Sequence, residues 1–326
     1  MFDEQLLNPL TRGLLSKYLK VDLLTAQSVI LRGDKGLGKR TVGEEIAKFL
    51  LNYGGEYRID KHPDFYRLEP KDGAITKAQT DAVREFVNIY ASIAPRKVVL
   101  VDDADLIGNS AANSLLKVLE DDNKTCVFIF IAHSGLLPTI MSRCVEIDFS
   151  AVEIEALQVF LAAGVNDLAL LSSGGKIGQY QKLSSNGLFL AEAGKIVETL
   201  NTMNNPRELL TTCHAVKEKD GSYLYDVLDV EERVGLFILL QGIFQHHLLK
   251  LYCCGEELSF INGNNLEQFY DIDCSMVILN ELQRAIKLSG KKGKFSKNDF
   301  FELLTKFVYK KGECGYVISK NEATPI

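Results

Sequence analysis

The chain of 326 residues has no tryptophan and lacks the patterns that mark several large classes of protein. Its seven cysteines form no C-x-x-C pair, and Cys253 and Cys254 are adjacent, which suits neither a zinc site nor an ordinary disulfide framework. Lysine and arginine (37) are outnumbered by aspartate and glutamate (43), giving a formal net charge of -6. The chain therefore has no global basic field of the kind that marks a stand-alone nucleic-acid-binding protein.

Long apolar runs are also missing. No uninterrupted apolar stretch is long enough to cross a bilayer. The N-terminal segment MFDEQLLNPLTRG is acidic early and has no long apolar core of the kind found in signal peptides. These absences, with cysteines that form no framework, predict a cytoplasmic protein whose thiols are reduced and which has no membrane partner.

The first 150 residues alternate between short apolar runs and helix-like stretches. Runs such as VVLV and CVFIFIA lack the period-two alternation of a half-exposed strand, which predicts strands buried on both faces. Strands that alternate with helices predict an α/β fold, with a parallel sheet between two layers of helices. The predicted strands are residues 28–31, 65–68, 98–101, 126–132 and 145–149, and the predicted helices are residues 41–51, 77–90 and 110–120.

The pattern changes after residue 150. Residues 151–186 predict short helices around a glycine-rich break, SSGGKIG, and residues 187–310 are almost entirely amphipathic helix. Residues 311–326 are a polar tail that we expect to be loosely ordered. The sequence thus predicts an α/β domain, a small helical domain and a helical C-terminal domain.

The segment GDKGLGK, residues 33–39, fits the phosphate-binding pattern G-x-x-x-x-G-K and lies between a predicted strand and a predicted helix. Backbone N–H groups of such a loop bind phosphate, and Lys39 would reach the β- and γ-phosphates. The pattern then requires a hydroxyl for Mg²⁺, but Arg40 has only donors and Thr41 lies roughly 100° further round the helix. The candidate nucleotide-binding residues of this loop are Gly33, Gly36, Gly38, Lys39, Arg40 and Thr41.

Two further segments carry candidate site residues. In KVVLVDDADL, four apolar residues precede Asp102, which predicts a buried strand ending in a metal-coordinating carboxylate beside the loop. Asp103 follows at the position where a glutamate normally polarises the attacking water. In LLPTIMSRCVEIDF, Arg143 lies at a sheet edge, where it is either an arginine finger for a neighbouring subunit or simply a solvated side chain.

These elements, in this order, resemble the AAA+ clamp-loader ATPases. The triplet Ser142-Arg143-Cys144 is the most specific marker, and NSAANSLLKVLED looks like the helix that follows the metal-binding strand in that family. KHPDFYRLEP, followed by AITKAQTDAVREFV, is similar to the delta-prime subunits of the bacterial DNA polymerase III clamp loader in particular. The resemblance is good over roughly residues 5–185.

The resemblance implies an AAA+ P-loop domain with a five-stranded parallel sheet over residues 1–150, a lid over 151–186 and an oligomerisation collar over 187–310. It implies a non-hydrolysing subunit that helps load the sliding clamp onto primed DNA. Its partners would be the gamma/tau ATPase and delta subunits of a hetero-pentamer, with clamp and primer-template DNA contacted through the complex. Arg143 would act in trans, in the ATP site of a neighbouring subunit.

Several positions depart from the family pattern. The segment LNYGGEYRIDK lacks the cysteines that bind zinc in these proteins, and the five histidines show no metal-ligand spacing, so we predict no metal. Four positions where the catalytic relatives carry other residues argue against hydrolysis by this chain: Arg40, Asp103, His133 and Gln179. No cofactor is then required, although Lys39 and the loop backbone leave weak binding of ATP or ADP open.

Two alternatives stay open from the sequence. Lys39, Thr41 and Asp102 are compatible with an active AAA+ ATPase, such as a divergent clamp-loader motor subunit. A small-molecule P-loop kinase would need a lid and an acceptor site, for which the helical C-terminal half offers no evident candidate. ATP turnover by the isolated chain distinguishes an enzyme from a silent subunit.

Overall fold

The computed structural model describes residues 9–18, 27–54, 58–120, 126–161, 165–214, 224–251, 266, 269–289 and 295–307. The chain divides into two compact units, Met1–Phe160 with Lys176–Gly178 and Leu161–Gly175 with Gln179–Ile326. The predicted lid and collar fall largely in the second unit, and the boundary between them stays a prediction. The predicted tail and the adjacent Cys253 and Cys254 lie outside the described residues.

The first unit contains the parallel sheet that the sequence predicts. All strand pairs are parallel, in the order β2-β3-β4-β1-β5. Because parallel strands end at one edge of a sheet, the residues that follow β1, β3 and β4 come together there. The strands are β1 Val29–Arg32, β2 Phe65–Leu68, β3 Lys97–Val101, β4 Cys126–Ala132 and β5 Val145–Asp148, each within one residue of its predicted bounds.

Among the described residues, six α-helices accompany these strands, together with short 3-10 helices at Ile59–Lys61 and Ala104–Leu106. The helix after the phosphate-binding pattern starts two residues earlier than predicted, directly at Lys39, because Gly38 provides the turn before it. The next helix ends two residues early, at Asn88, since Ile89 is already extended (φ -93°, ψ 138°). Their bounds are α1 Pro9–Tyr18, α2 Lys39–Leu50, α3 Lys77–Asn88, α4 Asn109–Leu119, α5 Pro138–Met141 and α6 Ile154–Leu161.

The strands β3 and β4 are buried on both faces, as their continuous apolar runs predict, whereas Asp148 of the edge strand β5 is exposed. Every residue of β3 is buried, and Val98, Val99 and Leu100 are fully inaccessible. Alternate residues of β3 belong to two separate apolar clusters, Val98 and Leu100 to one and Val99 and Val101 to the other. The sheet thus has one core on each face, which fixes its strands and the loops at their ends.

Asp64, in the HPD triplet before β2, is a fully buried carboxylate with a structural role. It accepts backbone N–H bonds from Ser92 (2.6 Å), Ile93 (2.7 Å) and Ala94 (2.9 Å). Burial raises the pKa of Asp64, but these three donors outweigh that effect and hold it below its usual value. The segment so anchored exposes three large apolar side chains, Ile89 (64%), Tyr90 (86%) and Ile93 (71%).

In the second unit every described element is a helix, in agreement with the predicted helical C-terminal region. Gly174, left-handed at φ +58°, ends the first of these helices at the predicted glycine-rich break. No helix among the described residues is long and apolar enough to cross a membrane. The remaining helices are α7 Asp167–Ser173, α8 Ile177–Ser184, α9 Gly187–Thr202, α10 Arg207–His214, α11 Leu224–Val227, α12 Val230–Leu251, α13 Ile272–Ser289 and α14 Lys297–Lys306.

Candidate nucleotide site

The loop between β1 and α2 needs glycine at specific positions. Gly33 has φ +149°, and a Cβ there would lie 2.2 Å from the carbonyl oxygen of Phe149 at the end of the neighbouring strand β5. Gly38, with φ +79°, is the N-cap of α2 without any side-chain cap. The backbone therefore keeps the strand–loop–helix form of a phosphate-binding loop.

Lys39 is turned inward onto this loop. Its ammonium group donates to the carbonyl oxygens of Gly33 and Asp34, both at 2.5 Å, and only 3% of the residue is exposed. Burial lowers the pKa of Lys39 to about 8, because desolvation disfavours the charged amine. Four carboxylates oppose part of that shift: Asp34, Asp105, Asp102 and Asp103.

Arg40 directs each of its three guanidinium nitrogens toward a carboxylate. NH1 lies 2.9 Å from Asp102, NH2 lies 2.6 Å from Glu69, and Nε lies 3.6 Å from Glu44. Asp102 follows β3, as predicted, and its side chain is only 14% exposed. Arg40 thus provides a positive charge at the carboxylate that would bind Mg²⁺ in an ordinary P-loop site.

The residues present do not fit a magnesium ion. The position that normally supplies a hydroxyl ligand holds a guanidinium, which cannot coordinate a cation. That same guanidinium is paired with Asp102, the expected carboxylate ligand. Thr41, the nearest hydroxyl in sequence, is exposed on α2. Across the described residues, no group of three His, Cys, Asp or Glu side chains is placed to hold a metal ion.

His133 connects the loop with the acidic segment after β3. Its Nε2 lies 2.5 Å from Asp103, and its Nδ1 lies 3.1 Å from the Nζ of Lys39. Because β4 lies between β1 and β3, the residue that follows β4 naturally reaches both neighbours. Asp103 adopts a left-handed backbone (φ 45°, ψ 49°), an uncommon conformation for a residue other than glycine.

Two contacts cover the loop from the segment Lys176–Gly178, which is grouped with the first unit. Lys176 Nζ lies 2.7 Å from Asp34 Oδ2, and this hydrogen bond lowers the pKa of Asp34. The backbone N–H of Gly178 donates to the carbonyl oxygen of Gly36 at 2.9 Å. The loop is therefore fixed by protein groups on several sides.

Three of the four off-pattern positions meet at this edge of the sheet: Arg40, Asp103 and His133. The fourth, Gln179, belongs to the second unit, where its side chain donates to the carbonyl oxygen of Glu231 at 3.0 Å. Contacts join Arg40 to Asp102 and join Lys39 through His133 to Asp103. The backbone N–H of Asp103 donates to Asp102 Oδ1 at 3.1 Å, so these five residues form one network.

Arg143 lies away from this network, on the surface after α5. Its NH1 donates to the carbonyl oxygen of Thr139 (2.9 Å) and to Ser142 Oγ (3.1 Å), and its NH2 lies 2.7 Å from Glu120. The neighbouring Cys144 is half-buried, and burial raises the pKa of its thiol to about 12. Cys144 is thus no nucleophile at neutral pH.

Sequence reasoning missed the residues that neutralise the site. Glu69 directly follows β2, the same strand-end placement that identified Asp102, and this signal was sufficient to find it. Lys176 carried no such signal, because it lies more than 140 positions from its partner Asp34. Glu120 was likewise not linked with Arg143.

Comparison with known proteins agrees with the predicted resemblance for the N-terminal part of the chain. Residues 13–153 match the family described as DNA polymerase III, delta subunit. The chain is 37% identical over 139 residues to the DNA polymerase III subunit delta' of Pseudomonas aeruginosa, and 32% identical over 166 residues to that of Bacillus subtilis. The predicted similarity to delta-prime subunits is thereby confirmed for this part of the chain.

These matches cover only part of each protein. The two alignments take in 37% and 47% of this chain, and 42% and 50% of the two relatives, so that the chain spans at most half of their length. Among solved structures, a DNA polymerase III, gamma subunit-related protein from Thermotoga maritima is similar at a TM-score of 0.46 and 20% identity. That likeness covers 92% of this chain and 98% of the other.

Proposed function

We propose that this chain is a non-hydrolysing, delta-prime-like subunit of a clamp loader that helps place a sliding clamp on primed DNA. Its similarity to named delta-prime subunits over residues 13–153 supports the assignment to a clamp loader. The contact that carries the non-hydrolysing part is the ion pair between Arg40 and Asp102, 2.9 Å long.

This ion pair removes two requirements of ATP hydrolysis together. In P-loop ATPases a hydroxyl and a strand-end carboxylate hold Mg²⁺, which neutralises the charge that develops on the phosphates. Here Arg40 replaces the hydroxyl and engages the carboxylate. Asp103 is paired with His133, so the acid that would polarise water is also committed to a protein contact.

The second part of the proposal concerns Arg143, which acts in trans on ATP bound to a neighbouring ATPase subunit. An arginine finger stabilises the charge of the transition state and contributes about 10³–10⁵ in rate in other systems. The exposed position of Arg143 supports this role, because a finger must project from its own subunit. The partners are then the gamma/tau ATPase subunits and the delta subunit, in a hetero-pentamer.

The test is a reconstituted complex that contains this chain and the clamp-loader ATPase and delta subunits of the same organism. With Arg143→Ala we expect an assembled complex whose ATP hydrolysis, in the presence of clamp and primed DNA, is lowered about 10³-fold at the site this chain faces. Arg58→Ala, which removes another exposed arginine, serves as the control. Unchanged hydrolysis with Arg143→Ala would overturn the proposed role.

A separate measurement tests the non-hydrolysing part. The isolated chain with Mg²⁺ and ATP should show no steady turnover. If turnover is present and Lys39→Ala abolishes it, the chain is an active ATPase and the proposal is wrong.

A further inference from the structure

We infer that Glu120 is the positioning residue for Arg143, setting the direction in which its guanidinium leaves the surface. This inference rests on the proposed function, because it gives Glu120 a role only if Arg143 acts on a neighbouring subunit. The carboxylate follows α4, whereas the arginine follows α5, so the contact joins two elements of the first unit that lie 23 positions apart.

The guanidinium is held from two directions. On one side NH1 donates to the carbonyl oxygen of Thr139 and to Ser142 Oγ, both within its own turn. On the other side NH2 contacts Glu120 Oε1 at 2.7 Å. Hydrogen bonds at NH1 alone would let the guanidinium rotate about that nitrogen. The contact at NH2 is a second fixed point, which sets the plane of the guanidinium.

These three contacts leave part of the Arg143 guanidinium able to bind another group. An arginine has five N–H donors, and the three contacts use both hydrogens of NH1 and one of NH2. Among the described residues, Nε and the second hydrogen of NH2 have no acceptor. Such a fork matches the oxygens of a phosphate group, which an arginine binds in a fixed geometry. Glu120 thus orients Arg143 without saturating it.

Exposure separates a positioning role from a folding role. The side chains of Arg143 and Glu120 are 35% and 52% exposed, and ion pairs at such sites contribute little to folding stability. Removing Glu120 should therefore leave the subunit folded. Catalysis is more sensitive, since a misplacement of about 1 Å can cost on the order of 10²-fold in rate.

A positioning role and an inhibitory role for Glu120 predict opposite results. If Glu120 holds Arg143 in its active orientation, removing Glu120 lowers ATP hydrolysis on the neighbouring subunit. If Glu120 keeps Arg143 away from the neighbouring site, removing Glu120 raises ATP hydrolysis there. The carboxylate oxygen that accepts from Arg143 can be tested separately. A glutamine at position 120 keeps an accepting oxygen at the same place, and an alanine does not.

The experiment measures ATP hydrolysis by the reconstituted complex with clamp and primed DNA. We expect Glu120→Ala to lower kcat at the affected site about ten-fold with an unchanged KM for ATP, and Glu120→Gln to restore at least half of the wild-type rate. Glu155→Ala, which removes another exposed glutamate of the first unit, is the matched control. Thermal unfolding of the three variants should agree with the wild type to within about 2 °C.

Arg143→Ala, measured alongside, separates the two levels of the hypothesis. If Arg143→Ala lowers hydrolysis while Glu120→Ala has no effect or raises it, the positioning role is wrong and the proposed function stands. If Glu120→Ala lowers ATP hydrolysis and Glu120→Gln does not restore it, the positioning role is also contradicted. If Arg143→Ala itself has no effect, both proposals fall.

Discussion

The Nδ1 atom of His133 lies 3.1 Å from the Nζ atom of Lys39. The lysine that a P-loop uses for phosphate is thus held by the protein, through His133 and two carbonyl oxygens of its own loop. With Lys39 as the donor, His133 Nδ1 accepts and Nε2 donates to Asp103. This arrangement links the loop to the acidic segment that follows β3.

Lys39 makes the stability of the fold depend on pH in the alkaline range. Its pKa is lowered to about 8 in the folded chain and returns to about 10.5 when the chain unfolds. Between these values the unfolded chain binds a proton that the folded chain has released, so raising the pH favours the folded state. Relative to Lys39→Met, the free energy of unfolding of the wild type should rise by at most about 1.4 kcal/mol per pH unit.

Denaturant titrations of both proteins from pH 7 to 10.5 measure this difference. Other titrating groups are common to the two proteins and largely cancel in the comparison. A difference that stays constant or falls with pH would show that the amine is not desolvated in the folded chain.

Arg40→Thr should convert the site into one that responds to magnesium. The substitution supplies a hydroxyl and releases Asp102 from its ion pair, so we expect ATP to bind at least about ten-fold more tightly with Mg²⁺ than with a chelator, a difference of about 1.4 kcal/mol. Hydrolysis should stay slow, because Asp103 and His133 are unchanged. Arg40→Lys keeps the positive charge and should remain insensitive to Mg²⁺. Titration of a fluorescent ATP analogue measures each case, and an Arg40→Thr protein indifferent to Mg²⁺ would contradict the role given to the ion pair.

Asp64→Asn should destabilise the first unit by roughly 2–3 kcal/mol, because charge-assisted hydrogen bonds to three backbone donors are weakened in a buried place. Hydrogen exchange at Ser92, Ile93 and Ala94 should become faster than in the wild type. The pKa of Asp64 is depressed in the folded chain, so its contribution is present above its unfolded value of about 4 and is lost as the pH falls further.

The control for this variant is Asp72→Asn. Asp72 is exposed, and its left-handed backbone (φ 51°) is one that asparagine readily adopts, so stability should change little. Equal unfolding free energies for the Asp64 and Asp72 variants would contradict the anchoring role of Asp64.

Two glycine substitutions should have opposite effects. Gly33→Ala places a Cβ 2.2 Å from the carbonyl oxygen of Phe149, at a φ that L residues rarely adopt, so we expect a loss of at least about 1–3 kcal/mol. Gly13→Ala lies on helix α1 with open space around it, and should stabilise by about 0.5–1 kcal/mol. Thermal unfolding ranks the two variants, and a tolerated Gly33→Ala would show that the loop is not fixed by β5.

The backbone of the first unit could largely be predicted from the sequence. Continuous apolar runs identified the strands, and glycines with a lysine identified the loop, because these patterns reflect burial and backbone conformation close in sequence. The placement of Asp102 followed from the general rule that parallel strands end at a common edge.

The side-chain pairs could not be predicted in the same way. Arg40 lies 62 positions before Asp102, and whether they meet depends on the order of the strands and on the rotamer of a long side chain. The periodicity of apolar residues in the sequence determines neither the strand order nor the rotamer. The sequence predicts that Arg40 replaces a magnesium ligand, which stays a prediction, and the pairing of Arg40 with the acids at two strand ends emerges only once β2 and β3 are neighbours.

The anchoring of the segment around Ile93 by Asp64 has a consequence for entropy. A loop that displays large apolar side chains normally loses conformational freedom when another molecule packs against it, and that loss weakens binding. Here the conformational entropy of residues 92–94 is already lost on folding, because their three backbone N–H groups donate to the buried carboxylate of Asp64. The backbone that carries the exposed side chain of Ile93 is therefore ordered before another molecule packs against it.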